Sequence, residues 1–333
     1  PFIQSCASTT CPLLTRTWTA AAALATFVAP KLPALTMAAD VTAQLTAAYQ
    51  RERAGREAMA REAALQQRQR RIQTACVRGF APGEVAVTIP VAGACAGIPA
   101  CCSGMLADRG SPLAAIVSHP WGPMGGSMHD PNVLALADTL GESGGVTTLR
   151  FNFRCGIGRG HSSADDIRAA WAFLRSCCDP PPSRLILAGY SYGSLCVADA
   201  APSLREHLSA LILLAPPLSF AAPLFFCRDV TSPLQRGEAR APALLISGTA
   251  DQFCSVRRYE RFSRGFSGGA RATMLSVRGA DHFSLWMMAA PAAQLASWLQ
   301  ATFGCPLAEL RQSAGEPVAA PGMAPAEEGV RQV

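Results

Sequence analysis

Three residues far apart in the chain have the types that acyl transfer needs. Ser191 stands in the middle of Gly189-Tyr190-Ser191-Tyr192-Gly193, Asp251 ends Gly248-Thr249-Ala250-Asp251, and His282 lies in Arg278-Gly279-Ala280-Asp281-His282-Phe283. A serine hydroxyl is a weak nucleophile by itself. A histidine must take its proton, and a carboxylate must set the imidazole tautomer and stabilise its cation. Ser191, His282 and Asp251 are therefore the candidate nucleophile, base and acid. Attack on a carbonyl also builds negative charge on its oxygen, which preorganised backbone N–H groups must meet. Tyr192, directly after the serine, is the first candidate donor. The second comes from His119-Pro120-Trp121-Gly122: Pro120 carries no N–H, so Trp121 is chosen, with Gly122 behind it. Each residue taken alone has a plainer reading. Ser191 could cap a helix, Asp251 could close a turn, His282 could be an idle loop histidine, and His119–Gly126 could be a tight structural turn. His119 itself reads as an organiser of its loop.

What separates the chemical reading from the plain one is where these residues sit. Leu185–Ala188 is a short unbroken apolar run, the pattern of a strand buried on both faces of a parallel sheet, and Ser194–Ala198 opens a helical pattern that stops near Pro202. Strand, sharp turn and helix turn the common pentapeptide into a nucleophile elbow, whose serine adopts strained backbone angles and whose neighbours two before and two after must be small. Glycine stands at both places. Asp251 and His282 each follow a further apolar strand, Ala243–Ser247 and Ala272–Val277.

The rest of the core repeats the alternation. Val85–Ile89 and Gly97–Ala107 read as an antiparallel edge pair. Leu113–Val117, Val146–Phe153 and Ala210–Leu214 read as strands. Asp130–Leu140, Ala164–Ser176, about Ser255–Phe266 and Pro291–Phe303 read as helices. The expectation is an α/β fold with a doubly wound, mostly parallel sheet, carrying its chemistry on loops at the carboxyl ends of the strands.

Composition bounds the alternatives. The chain has 333 residues, half of them hydrophobic, and a net charge of +6. Seven arginines against Glu52, Glu57 and Glu62 in residues 51–71 supply a surplus of four, so the remainder is nearly balanced and gives no support to a nucleic-acid partner. Thirteen cysteines form no C-x-x-C pair and no zinc-type spacing with histidine, which favours mostly buried thiols in a reducing compartment over a disulfide framework. Residues 1–39 lack Asp and Glu and resemble an organelle transit peptide, so the expected location is a chloroplast or mitochondrion, or else the cytoplasm. Residues 40–76 are expected to form a charged, exposed helix with Glu52–Arg56 and Glu57–Arg61 at i,i+4, leaving room for weak membrane-surface contact. Residues 311–333 read as a disordered tail.

Two loops carry a resemblance. His119-Pro120-Trp121-Gly122-Pro123-Met124-Gly125-Gly126-Ser127-Met128 matches H-P-x-x-x-x-G-G-x-M after the third strand. Arg150-Phe151-Asn152-Phe153-Arg154-Cys155-Gly156-Ile157-Gly158 resembles an R-F-N-F-R-G-x-G loop after the fourth, with Cys155 in place of its first glycine and the second glycine one place later, at Gly158. With the order Ser191…Asp251…His282, residues 84–305 resemble an α/β-hydrolase-fold serine hydrolase of the small, weakly lidded branch.

The resemblance implies acyl-enzyme cleavage of a small-molecule ester, thioester or amide without cofactor or metal. A carboxylesterase is slightly preferred over a serine-peptidase-like amide hydrolase, and a non-catalytic binding protein on the same fold is the alternative. Residues 216–240 would form a short lid, with Leu218, Phe220, Leu224, Phe225 and Phe226 lining an acyl pocket or packing the insertion down. Gly156–Gly160 only superficially suggests a dinucleotide loop, and Asp165 and Asp166 suit the positive end of a helix better than catalysis. Cys196 and Cys254 read as packing residues.

Overall fold

The computed structural model describes residues 34–95, 98–143, 145–154, 162–218, 229, 231–266 and 272–303. The 311–333 tail, residues 219–228 of the expected lid, Cys155 and the Gly156–Gly160 run lie outside these residues.

An eight-stranded sheet forms the centre: β1 (Val85–Cys95), β2 (Ile98–Ala107), β3 (Leu113–Ser118), β4 (Thr147–Phe151), β5 (Arg184–Tyr190), β6 (Leu208–Leu214), β7 (Ala243–Gly248) and β8 (Ala272–Val277). Its order is β1-β2-β4-β3-β5-β6-β7-β8. β1 pairs with β2, and β2 with β4, antiparallel; every other pairing is parallel. The expected doubly wound, mostly parallel α/β sheet is thus present, and its antiparallel pair is the predicted edge.

Helices cover both faces, which is why the central strands β3, β5 and β7 are built mainly of apolar residues. β3, β4 and β7 are buried throughout. Alternate residues of β3 serve opposite faces. Ala114 and Ile116 join a core with Ile167 and Trp171 of α3 (Ser163–Cys177), Leu195 of α4 (Tyr192–Ala200) and Tyr259 of α6 (Val256–Arg264). Leu113, Ala115 and Val117 join the other core with Val133 of α2 (Pro131–Asp138) and Leu295 of α7 (Ala289–Phe303). A short α5 (Ser232–Gln235) follows the described part of the expected lid.

The N-terminal helix α1 runs Ala34–Arg78, longer at both ends than the expected 40–76, so residues 34–39 of the expected leader are helical. The chain divides into two units after Ala63. In the first, every described side chain is exposed, and the predicted Glu52–Arg56 and Glu57–Arg61 pairs form, joined by Arg53–Glu57. The second unit corrects the exposed-helix expectation: Ile72 and Ala75 are buried against Leu134 and Ala135 of α2, and Arg71 reaches Asp138 at 3.1 Å. The helix ends at Gly79, in the left-handed conformation, whose N–H bonds the Ala75 carbonyl. No helix among the described residues is long and apolar enough to cross a membrane.

Arg150 of β4 is the largest fully buried side chain among the described residues. Its Nε donates to Glu84 Oε1 at 2.7 Å, and its other nitrogens donate to the carbonyls of Met128 and Gly79. Removing one partner of such a pair strands the other charge in the core. Glu84→Gln is therefore expected to destabilise the protein by about 3–5 kcal/mol in urea titration, and the double variant Glu84→Leu, Arg150→Met to recover most of that loss.

Candidate active site

The elbow forms where β5 meets α4. Ser191 has φ 53° and ψ −120°, a strained conformation for a residue with a Cβ, and its N–H is anchored to the Leu214 carbonyl of β6 at 2.8 Å. Both glycines are required by close approach rather than by their own angles. A Cβ on Gly189 would lie 2.4 Å from the Gly193 carbonyl carbon, and one on Gly193 would lie 2.5 Å from the Ser118 oxygen. The elbow thus sits pressed against the end of β3, where the His119–Gly126 loop begins.

β7 and β8 bring the other two residues to the same place. His282 Nε2 lies 2.9 Å from Ser191 Oγ, and His282 Nδ1 lies 3.0 Å from Asp251 Oδ2. With Asp251 ionised, Nδ1–H donates to the carboxylate and Nε2 is left to accept the serine proton. The two supporting loops are in tight contact: a Cβ on Gly248 would lie 2.1 Å from the Ala280 oxygen, and the Gly279 N–H bonds Thr249 Oγ1 at 2.9 Å. All three sequence-expected residues are therefore brought together.

Asp251 is held by more than histidine. Its Oδ1 accepts from the N–H groups of Phe253 and Cys254, and Oδ2 also accepts from Tyr259 Oη at 3.1 Å. Tyr259 is fully buried, and burial together with the adjacent carboxylate pushes its pKa up, so it stays a donor. The acid at this position is not Asp229. Asp229 instead accepts from Thr231 and Ser232, hydrogen bonds to Ser232 and Thr231 that hold its pKa down at about 2.

Around His282, Gln252 Oε1 accepts its backbone N–H, and the buried Tyr190 Oη donates to its carbonyl at 3.0 Å. Asn132, at the start of α2, bonds the Phe283 carbonyl and the Trp286 N–H. Sequence reasoning missed Tyr259, Gln252, Tyr190 and Asn132. Their contacts span up to 154 residues of chain, and no local motif marks them.

The two expected oxyanion donors are placed by the same packing. Tyr192 is the first residue of α4, directly after Ser191, and its hydroxyl meets Ser163 Oγ at 2.9 Å. Trp121 lies in the loop after β3, extended at φ −63° and ψ 118°, with its carbonyl accepting from Met124 and Gly126. The loop after β4 braces that loop. Asn152 Oδ1 accepts the Met128 N–H at 2.8 Å, and the Phe153 N–H donates to His119 Nε2 at 3.1 Å. His119 Nδ1 faces the Pro120 carbonyl, and burial pushes its pKa down to about 4, so the ring works as a neutral strut.

Arg154 pairs with the fully buried Asp166, which gives Asp166 a structural place, while Asp165 is exposed and pairs with Arg168. Cys196 and Cys254 are buried free thiols, and burial pushes Cys254 up to about 11. Both agree with the packing role expected of them.

Residues 164–285, which contain Ser191, Asp251 and His282, match the family model described as "Serine hydrolase". Among solved structures, the chain is similar to an α/β serine hydrolase homologue from Coxiella burnetii (22% identity, 66% of this chain and 97% of that one, TM-score 0.53). It is also similar to XC6422 from Xanthomonas campestris, described as an α/β serine hydrolase without lid (24% identity, 68% and 95%, TM-score 0.50). A third is Est1E from Butyrivibrio proteoclasticus (18% identity, 66% and 99%, TM-score 0.52). No curated protein matches the sequence.

Proposed function

We propose that this chain, an α/β-hydrolase-fold serine hydrolase, cleaves a carboxylic ester, thioester or amide through an acyl-enzyme intermediate on Ser191. The observation that carries this reading is the unbroken chain from Ser191 Oγ through His282 to Asp251, at 2.9 and 3.0 Å. His282 Nε2 takes the serine proton as Oγ attacks the substrate carbonyl. The imidazolium is stabilised by Asp251, which the buried Tyr259 hydroxyl and two backbone N–H groups keep in place. The backbone N–H groups of Tyr192 and Trp121, with Gly122 as the second choice in that loop, meet the oxyanion. The proton then passes from Nε2 to the departing heteroatom, and water reverses the sequence to release the acid.

A carboxylesterase is the preferred form. Among the described residues no cationic group pairs with His282 or Ser191 to clamp a peptide's carboxylate terminus, and one structure of the similar Est1E holds ferulic acid. The rival reading, a binding protein that keeps the fold without turnover, has no use for a strained serine aimed at a histidine. A fluorophosphonate probe is expected to label the protein stoichiometrically, with the label mapping to the peptide that contains Ser191. Labelling elsewhere, or none, would overturn the reading.

A further inference from the structure

Resting on the acyl-enzyme reading above, we propose that the substrate's leaving group is a neutral, apolar alcohol that seats against Phe253 and Phe283. The geometry of proton return carries this inference. When the acyl C–O bond breaks, the alcohol oxygen must accept its proton from His282 Nε2, so it lies within about 3 Å of that atom. The carbon skeleton attached to that oxygen must then lie against whatever surrounds the imidazole.

Among the described residues, three aromatic rings surround it. Tyr190 is buried, with its centroid 5.4 Å from that of His282. Phe253 and Phe283 lie 4.6 Å and 5.3 Å away, yet they are 37% and 55% exposed. The two phenyls meet each other edge to face at 5.9 Å, so they form one continuous apolar surface next to the imidazole. Each belongs to a loop that holds a triad member, Phe253 two residues after Asp251 and Phe283 directly after His282. Their backbone N–H groups already serve the Asp251 and Asp281 carboxylates, which sets the loop positions without needing aromatic side chains there.

Charge points the same way. Asp281 is half-buried, and its hydrogen bonds to Ser284 hold its pKa down, so an anionic leaving group would meet a carboxylate. Among the described residues no cation–π contact falls on Phe253 or Phe283, and the ion-pair partner of His282 is the Asp251 carboxylate. An anionic alcohol therefore finds no partner here, while an apolar one buries against two rings.

The test uses the whole chain and acetate esters of methanol, butanol, 2-phenylethanol, 3,3-dimethylbutanol and choline, each kcat/KM being divided by that ester's rate of alkaline hydrolysis because choline is the more acidic alcohol. In the wild type, kcat/KM is expected to rise from methyl to 2-phenylethyl. The ratio of those two values is expected to fall about five- to tenfold in each of Phe253→Ala and Phe283→Ala, in line with the worth of an aromatic contact plus its buried area. Phe253→Leu, which keeps an apolar side chain, should restore part of the ratio, and unchanged melting would show that the variants remain folded.

A wild-type ratio near one, or a ratio that both substitutions leave unchanged, would overturn the proposal while leaving Ser191 labelling intact. A choline ester cleaved faster than its isostere, the 3,3-dimethylbutyl ester, would also overturn it by showing that the rings receive a cation. Loss of labelling at Ser191 and of all ester turnover in the wild type would instead remove the acyl-enzyme reading itself.

Discussion

Ser191→Ala is expected to abolish fluorophosphonate labelling and to lower ester turnover by about four to six powers of ten. The hydroxyl is the bond-forming atom, and among the described residues it is the hydrogen-bond partner of His282 Nε2. The fold should barely notice. Alanine keeps its Cβ at φ 53°, so the elbow's strain is unchanged, and the contacts that shape the turn belong to Gly189, Gly193 and the Leu214 carbonyl. Stability is expected to stay within about 1 kcal/mol of wild type in urea titration. His282→Ala should lose nearly as much activity, and the double variant little more, because residues that act as one unit are not additive. Losses that multiply in the double variant would mean that Ser191 and His282 act separately.

Asp251→Asn is the second large effect, about three to four powers of ten in kcat. The carboxylate accepts four donors: the N–H groups of Phe253 and Cys254, the Tyr259 hydroxyl and His282 Nδ1–H. An amide cannot accept at both ends. If its oxygen keeps the two backbone N–H groups, its NH₂ faces Tyr259 and His282. That arrangement favours the imidazole tautomer with its proton on Nε2, where it can no longer accept from Ser191. Steady-state kinetics should place the loss in kcat rather than KM, because no substrate contact is removed. Tyr259→Phe leaves the charge and frees only one lone pair, so its loss should be far smaller. An Asp251→Asn variant with near wild-type kcat would show that another carboxylate orients His282.

Those two outcomes rest on residues that the sequence marks by itself. The elbow is local: an apolar strand, a serine between two glycines and a helix occupy one continuous stretch, and close backbone approach at Gly189 and Gly193 admits no larger side chain. The sheet is almost as readable, because strands buried on both faces need unbroken apolar runs, and β3, β5 and β7 have them. Asp251 and His282 are legible for the same reason, each lying in the loop after such a run.

What the tertiary structure decided depends on partners distant in sequence. The apolar positions of α1 show no clean stripe, because among its described side chains only those of the last turns are covered. What covers Ile72 and Ala75 is α2, some sixty residues further on. Arg150 reads from sequence as part of a loop motif, and only the fold reveals it as a buried cation on Glu84, bracing both α1 and the loop of Met128. That Asp229, another acid between Ser191 and His282 in the chain, takes no part is likewise seen only in three dimensions. Asp229 is occupied by the hydroxyls and N–H groups of Thr231 and Ser232, whereas the register of β7 against β8, Gly248 opposite Val277, carries Asp251 to the imidazole. Periodicity reports which face of an element is buried, but hydrogen-bond partners chosen across the sheet leave no period behind.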